Sequence, residues 1–361
     1  MNPLWISQIL AILRLEIGKS FLSKRGLWIY LLAAAPLVIF VGHAIQKRFD
    51  QGRLQRAATT STTWEKMEQV HEGMTREEVF ALLPEPGEQN GSSRRRRRGD
   101  DDMEWEHLVF SDGRKAISVS LEDRKVTSVN SRWRPCNLTE DLQVYAAVFQ
   151  FFYIRLAIFF GCMFVFMNLF RGEMLDKTLH YYFLTPVRRE VLLAGKYLAG
   201  LIATGVIFGV STIVQTIVFL NHFDPAVRAE YMDNGAIGHA LSYVGVTVLA
   251  CLGYGAAFLA AGVLIRNPLI PAALVLLWES INGILPALLR KFSVIYYLKS
   301  LCPVEVAMAK NVPPPLAMLA LNVDPATPIL AIAGLLAVAV AVLFFAARRV
   351  RKLEVNYSTE G

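Results

Sequence analysis

The chain of 361 residues is 54% hydrophobic and 19% charged, with a mean hydropathy of +0.39. That is too apolar for a water-soluble protein of this length and defines an all-α polytopic membrane protein. The formal net charge of +7 does not argue for a nucleic-acid partner, because much of it lies in Arg94–Arg98 and at the ends of apolar runs.

Residues 1–26 come first. Leu4, Ile6, Ile9, Leu10, Leu13 and Ile17 recur on one side of a helix, while Gln8, Arg14, Glu16 and Lys19 interrupt the run. The segment is too polar to span a bilayer and fits an interfacial helix lying in the membrane plane, with a plain anchor as the alternative. Lys24-Arg25 marks the inner surface, and residues 27–47 hold the first span, with Pro36 inside it. This apolar run has no convincing small-residue cleavage site and reads as a retained span.

Residues 48–140 change character: the sequence is polar, with no spanning segment. Trp64–Glu72 and Thr75–Leu83 are predicted helices, the second with Thr75 as N-cap before Arg76-Glu77-Glu78 and with Pro84 and Pro86 behind it. Strands are predicted over Met103–Phe110, Lys115–Leu121 and Lys125–Asn130, the first two joined by a turn at Asp112-Gly113. The five arginines Arg94–Arg98 beside Asp100–Asp102 predict a solvated loop, with contact to acidic lipid heads or envelope polymers as the alternative. The stretch Val70-His71-Glu72-Gly73-Met74-Thr75-Arg76-Glu77-Glu78-Val79, followed by Leu82-Leu83-Pro84, resembles the small outer-membrane-assembly lipoprotein (SmpA/OmlA) fold. The resemblance covers under a third of the chain and implies an α+β, protein-binding domain facing outward. The family's usual Gly before the proline is replaced by Leu83-Pro84-Glu85-Pro86. Long loops translocate largely regardless of charge, so the arginines do not oppose that placement.

Residues 141–347 carry the remaining spans, expected near Ala146–Phe170, Tyr197–Leu220, Ile237–Ile265, Leu269–Leu289 and Ile329–Ala347. Each approaches or exceeds the ~20 apolar residues that cross a ~30 Å core. Phe149, Phe151, Phe152 and Tyr153 read as lipid-facing or interfacial packing. Between the second and third spans lies a charged, helix-forming stretch, 171–196. Its Glu173, Asp176, Lys177 and His180 fall on neighbouring helical turns, and Pro186 starts a new turn at Val187-Arg188-Arg189.

An acidic residue, Asp-Lys-Thr-Leu, a Leu-Thr-Pro-Val-Arg-Arg step and a closing Gly-Lys before a hydrophobic helix resemble the type-2 permeases of ATP-binding-cassette (ABC) transporters. The resemblance implies that 171–196 is a coupling helix touching a separate cytoplasmic ATPase subunit, with Glu173, Asp176, Lys177, Arg188 and Arg189 at the contact. It also implies that the N-terminal helix, with Glu16, meets the same ATPase. ATP and Mg would then be bound by the partner, with no cofactor in this chain. A second permease, identical or related, would pair with it in the bilayer.

The inner connections hold fourteen Lys/Arg (Arg14 through the tail Arg348, Arg349, Arg351 and Lys352) against five outside, Arg228, Arg290, Lys291, Lys299 and Lys310. Both termini, including the 348–361 tail, are therefore expected in the cytoplasm of a bacterial inner membrane, with six spans. Hydropathy leaves Arg155 and Glu279 inside the membrane. An unpaired charge there costs at least ~2.5–3.5 kcal/mol, so the two are expected to approach each other, directly or through Ser280 or Asn282. The alternative has Arg155 snorkelling outward and Glu279 protonated. Cys136 and Cys302 share the outer side and form the candidate disulfide. No metal-ligand spacing, P-loop, His-Glu-x-x-His or Gly-x-Ser-x-Gly occurs, so no catalytic or metal centre is expected. Three readings stand: an ABC-type permease, an exporter by the family resemblance; a membrane scaffold whose outer domain recruits envelope proteins; and a membrane enzyme without a recognised centre.

Overall fold

The computed structural model describes residues 3–22, 27–56, 58, 61–86, 88–96, 102–113, 115–133, 138–175, 187–223, 225–265, 269–306 and 325–351. They fall into two compact units. One comprises Met1–Phe40, Leu142–Leu220 and Asp224–Gly361, the other Val41–Asp141 with Asn221–Phe223.

In chain order, helices α1 (Pro3–Leu22) and α2 (Leu27–Arg56) lead to the short α3 (Trp64–Met67) and α4 (Arg76–Leu82). Strands β1 (Glu88–Arg96), β2 (Asp102–Ser111), β3 (Ala116–Glu122) and β4 (Lys125–Trp133) follow. Helix α5 (Leu138–Ala147) passes into a wider, π-type stretch at Val148–Ile158 and then α6 (Phe159–Leu175). Next come α7 (Arg189–Leu220), α8 (Pro225–Asp233) and α9 (Ala236–Leu264). The last are α10 (Leu269–Ser280), a 3-10 turn at Ile281–Ile284, α11 (Ala287–Arg290), α12 (Val294–Leu301) and α13 (Pro328–Arg351).

Among the described residues, five helical runs are long and apolar enough to cross a membrane: Leu27–Arg56, Leu138–Phe170, Arg189–Leu220, Ala236–Leu264 and Pro328–Arg351. The expected continuous span Leu269–Leu289 is replaced by a broken one. Helix α10 has 12 residues, about 18 Å at 1.5 Å per residue. Gly283 weakens the helix, and Pro286 forces Leu285 into an extended conformation (φ −69°, ψ 147°), as the residue before a proline is disfavoured in helical geometry.

The helical unit is packed through small residues. The Phe166 ring of α6 sits between α7 and α9 at Gly200 and Gly255, where a Cβ would stand 2.7 and 2.5 Å from ring carbons. Any side chain at either position would drive the three helices apart. The expectation for the aromatics of the Val148–Ile158 stretch is corrected here for two of them. Phe149 and Tyr153 are fully buried, Phe149 meeting Tyr243 edge-on at 4.6 Å and Tyr153 donating to the Phe208 carbonyl at 2.7 Å. The Tyr153 hydroxyl thereby has its acceptor on α7.

In the second unit the sheet is antiparallel in the order β1-β2-β3-β4. Its core is Met67, Val70, Val79, Leu83, Leu108, Phe110, Ile117, Val119, Leu121 and Val126, so the alternating Ile117, Val119 and Leu121 of β3 face that core. Asp123 and Arg124 have φ of 48° and 64°, the left-handed pair of a tight β3–β4 hairpin turn. The Arg124 carbonyl accepts from Arg76 N at 2.8 Å, and Val126 exchanges backbone bonds with Gly73 and Met74, which seats α4 on the sheet. Arg76 also makes a two-pronged ion pair with Glu106 at 2.8 and 3.2 Å. The loop expected over the arginine run is corrected in part: β1 extends through Arg96, with Arg94 opposite Glu104 and Arg96 opposite Asp102 in register. Arg97 and Arg98 lie outside the described residues.

The predicted cap at Thr75 is present as a capping box. Glu78 N donates to Thr75 Oγ1 at 3.4 Å and Thr75 N donates to the Glu78 carboxylate at 2.8 Å. The Thr75 backbone N–H, then its hydroxyl, hold the Glu78 carboxyl below its ordinary value of 4.5. A carboxyl depressed in the folded state adds stability above its unfolded value and loses it as pH falls through the folded one. Thr75→Ala is expected to weaken α4 by about 1 kcal/mol, read as faster hydrogen exchange at Val79 and Phe80, and the wild-type advantage should shrink below the ordinary carboxylate range.

Candidate functional site

Helix α1 turns a mixed face to α7. Ile12 packs against Gly195, where a Cβ would come within 2.9 Å of the isoleucine. One turn further, Glu16 is buried. Its carboxylate accepts from Lys196 Nζ at 2.7 Å, and the same ammonium donates to the Leu169 carbonyl of α6 at 2.9 Å. Lys196 is wholly buried and lies 5.6 Å from the Phe170 ring centre. One lysine thus joins α1, α6 and α7. The outward side of α1 carries Ile6, Leu10 and Leu15, all exposed, which suits a helix lying along an apolar surface.

The start of α7 collects further charge. Arg188 lies over the Trp5 ring of α1 at 5.2 Å. Arg189 donates to the Arg351 carbonyl at 2.9 Å, and Arg351 pairs with Glu190. The N-terminal helix, the entry of α7 and the end of α13 therefore meet at one end of the bundle. Of the residues expected at the coupling surface, the structure places Arg188 over Trp5 of α1 and ties Arg189 to α13. Glu16 faces inward to Lys196. Glu173 lies on α6, and Asp176 and Lys177 lie outside the described residues. Lys196 and Trp5 were not singled out as site residues. Their signal in the sequence was faint: a lysine just inside an apolar run and an aromatic at a helix start.

The second polar centre is at the helix break. Arg155 and Glu279 come together through the main chain: Arg155 donates to the carbonyl of Glu279 at 3.4 Å. The Glu279 carboxylate accepts from the Ser293 hydroxyl at 2.7 Å and from the Val294 and Ile295 N–H groups at 2.9 and 2.8 Å. These are first-turn donors of α12, which have no partner within their own helix. An anion at a helix N-terminus is also favoured by the helix dipole. Glu279 therefore closes one broken helix onto another. Helix α12 is packed in place by Val294 against Gly253 of α9 and by Tyr297 against Gly334 of α13. Cys302 donates to the Leu298 carbonyl; Cys136, its expected partner, lies outside the described residues.

No protein-family model, no curated protein and no solved structure matches this chain.

Two stability outcomes follow from these contacts. Breaking a buried ion pair from one side costs about 3–5 kcal/mol, so Lys196→Met should sharply lower the melting temperature in detergent, and adding Glu16→Gln should recover much of the loss. Glu279→Ala strands three donors at about 1–3 kcal/mol each, so it should destabilise more than Glu279→Gln, which keeps one acceptor oxygen in place.

Proposed function

We propose that the chain is the membrane permease subunit of an ATP-driven, ABC-type exporter and works with a separate cytoplasmic ATPase subunit. The observation that carries this reading is the junction built by Lys196. A push delivered to the 171–196 connection reaches α7 at its first turns, and the Glu16–Lys196 and Trp5–Arg188 contacts transmit it to α1. Held at its centre by a buried ammonium bonded to two other helices, that junction moves as one piece. The motif resemblance in 171–196 supplies the identity of the motor, which brings ATP and Mg to the complex. A pair of permeases, identical or related, would line the path.

The reading requires an even number of crossings, and the helical unit supports six. The end of α13 lies beside the start of α7, and the positive-inside rule assigns that end to the cytoplasm. Helix α9 runs back against α7, with Tyr197 bonded to the Leu252 carbonyl and Thr212 to Thr247. The chain thus leaves α9 at the cytoplasmic end and enters α13 at the opposite one. The intervening crossing falls to α10 and α12 as two half-helices joined at Glu279, together 20 residues or about 30 Å. Discontinuous helices are tolerated in a membrane where other elements satisfy their freed backbone groups. On this topology both termini are cytoplasmic in a bacterial inner membrane and the α+β unit faces outward.

The α+β unit, with a core and sheet of its own, favours a second reading, a membrane-anchored scaffold that recruits envelope proteins. Purification of the tagged chain from membranes discriminates the two. The transporter reading expects an ATPase to co-purify and to be lost with Asp176→Lys while the chain stays in the membrane. A variant that still binds and stimulates its ATPase normally would remove the coupling role. Envelope proteins without any ATPase would favour the scaffold.

A further inference from the structure

A cluster outside the coupling site brings together side chains that no sequence spacing connects. His43 lies on α2, Asp141 in the first turn of α5, and His222 in the turn after α7, with 98 residues separating the first pair and 81 the second. All three belong to the unit formed by Val41–Asp141 and Asn221–Phe223. The His43 Nε2 lies 3.2 Å from one Asp141 carboxylate oxygen and the His222 Nε2 lies 3.3 Å from the other. The imidazole rings stand nearly perpendicular, at 84°, with centres 5.6 Å apart. The three ligand atoms all lie within 4.8 Å of one another. Asp141 and His222 are almost wholly buried, with side chains 2% and 1% exposed, while His43 keeps 21%. His222 is held by its neighbour Phe223, ring centres 4.0 Å apart.

We propose that His43, Asp141 and His222 form a binding site for a divalent transition-metal ion of the zinc class. Two imidazole nitrogens and one carboxylate are a donor set that suits Zn²⁺, Co²⁺ or Ni²⁺ and disfavours Mg²⁺ and Ca²⁺, which take oxygen ligands. With bonds of about 2.0–2.1 Å, tetrahedral ligand atoms stand roughly 3.3–3.4 Å apart. Each nitrogen already stands at that separation from one carboxylate oxygen, His43 from Oδ1 and His222 from Oδ2, so the metal would take one oxygen after a turn of the carboxylate or bind both. Rotation of His43, the most exposed of the three, closes the remaining gap between the nitrogens. Three protein ligands leave a fourth position for water or for a donor group of a second molecule.

The surroundings make a further demand. Lys47, one turn beyond His43 on α2, places its Nζ 3.3 Å from the same Asp141 oxygen that faces His43. The ammonium is a competing cation for that carboxylate. Metal binding must displace it or share the oxygen with it, so its charge lowers metal affinity without contributing a ligand. This inference does not depend on the transporter reading.

The test uses the full-length chain purified in detergent, stripped with a chelator and titrated with Co²⁺ and then Zn²⁺. One equivalent of Co²⁺ should give the visible bands of a four- or five-coordinate site, and Zn²⁺ should remove them. His43→Gln and His222→Gln should each weaken binding by more than the roughly 100-fold caused by losing an outer-shell partner. Lys47→Met should tighten it several-fold, an effect that a ligand role for Lys47 would reverse. Monodisperse elution of the variants controls for folding. Where a variant does not fold, X-ray absorption on the Zn²⁺-loaded wild type still decides: two imidazoles with oxygen support the site, and a sulfur or all-oxygen shell overturns it. Absence of saturable binding, or binding unchanged in folded histidine variants, would leave only a hydrogen-bonded clamp and overturn the proposal.

Discussion

Lys196 is the constraint on which the helical unit turns. A wholly buried ammonium is tolerated only where its charge is matched and its hydrogens are accepted. Here Glu16 and the Leu169 carbonyl meet that requirement from two different helices. Neither acceptor is on α7, so the lysine cannot be satisfied unless α1 and α6 are both docked. That makes the placement of α1 a condition of the fold rather than an accessory. It also explains why α1 turns a glutamate inward and leaves Ile6, Leu10 and Leu15 exposed, the reverse of a helix held in place by its apolar face alone.

The same logic operates at the other buried charge. Glu279 is matched by a hydroxyl and two first-turn N–H groups, so the protein uses one carboxylate to terminate α10 and begin α12. At Glu279 a charge that hydropathy alone would forbid also resolves a backbone problem, the free first-turn N–H groups of α12. Around these two centres the packing is steric, set by Phe166 between Gly200 and Gly255.

The long helices and the α4 cap were legible in the sequence, because both depend on local patterns: sustained apolar runs, and Thr75 three residues before Glu78. Glu16 and Glu279 were visible as polar interruptions, but their partners were not. Lys196 lies 180 residues from Glu16 and reads as the last charge of a basic connection. The Ser293 to Ile295 donors become available only because Gly283 and Pro286 break a run that hydropathy treats as continuous. Strand β1 was missed because its arginines show no apolar alternation, the pattern by which a strand is read from sequence. His43 and His222 carry no mutual spacing at all, so only the fold brings them to Asp141.

The segment between Ser280 and Ser293 has a property that follows from being closed at its base by one carboxylate. Its two ends are fixed to each other through Glu279, whatever the length of chain between them. Lengthening such an excursion raises the entropic cost of closure by only about 0.6 kcal/mol per doubling. Ile284, Leu288 and Phe292 project from it and are exposed. The excursion is therefore a place where length and surface can diverge between related chains while the half-helices beneath keep their register.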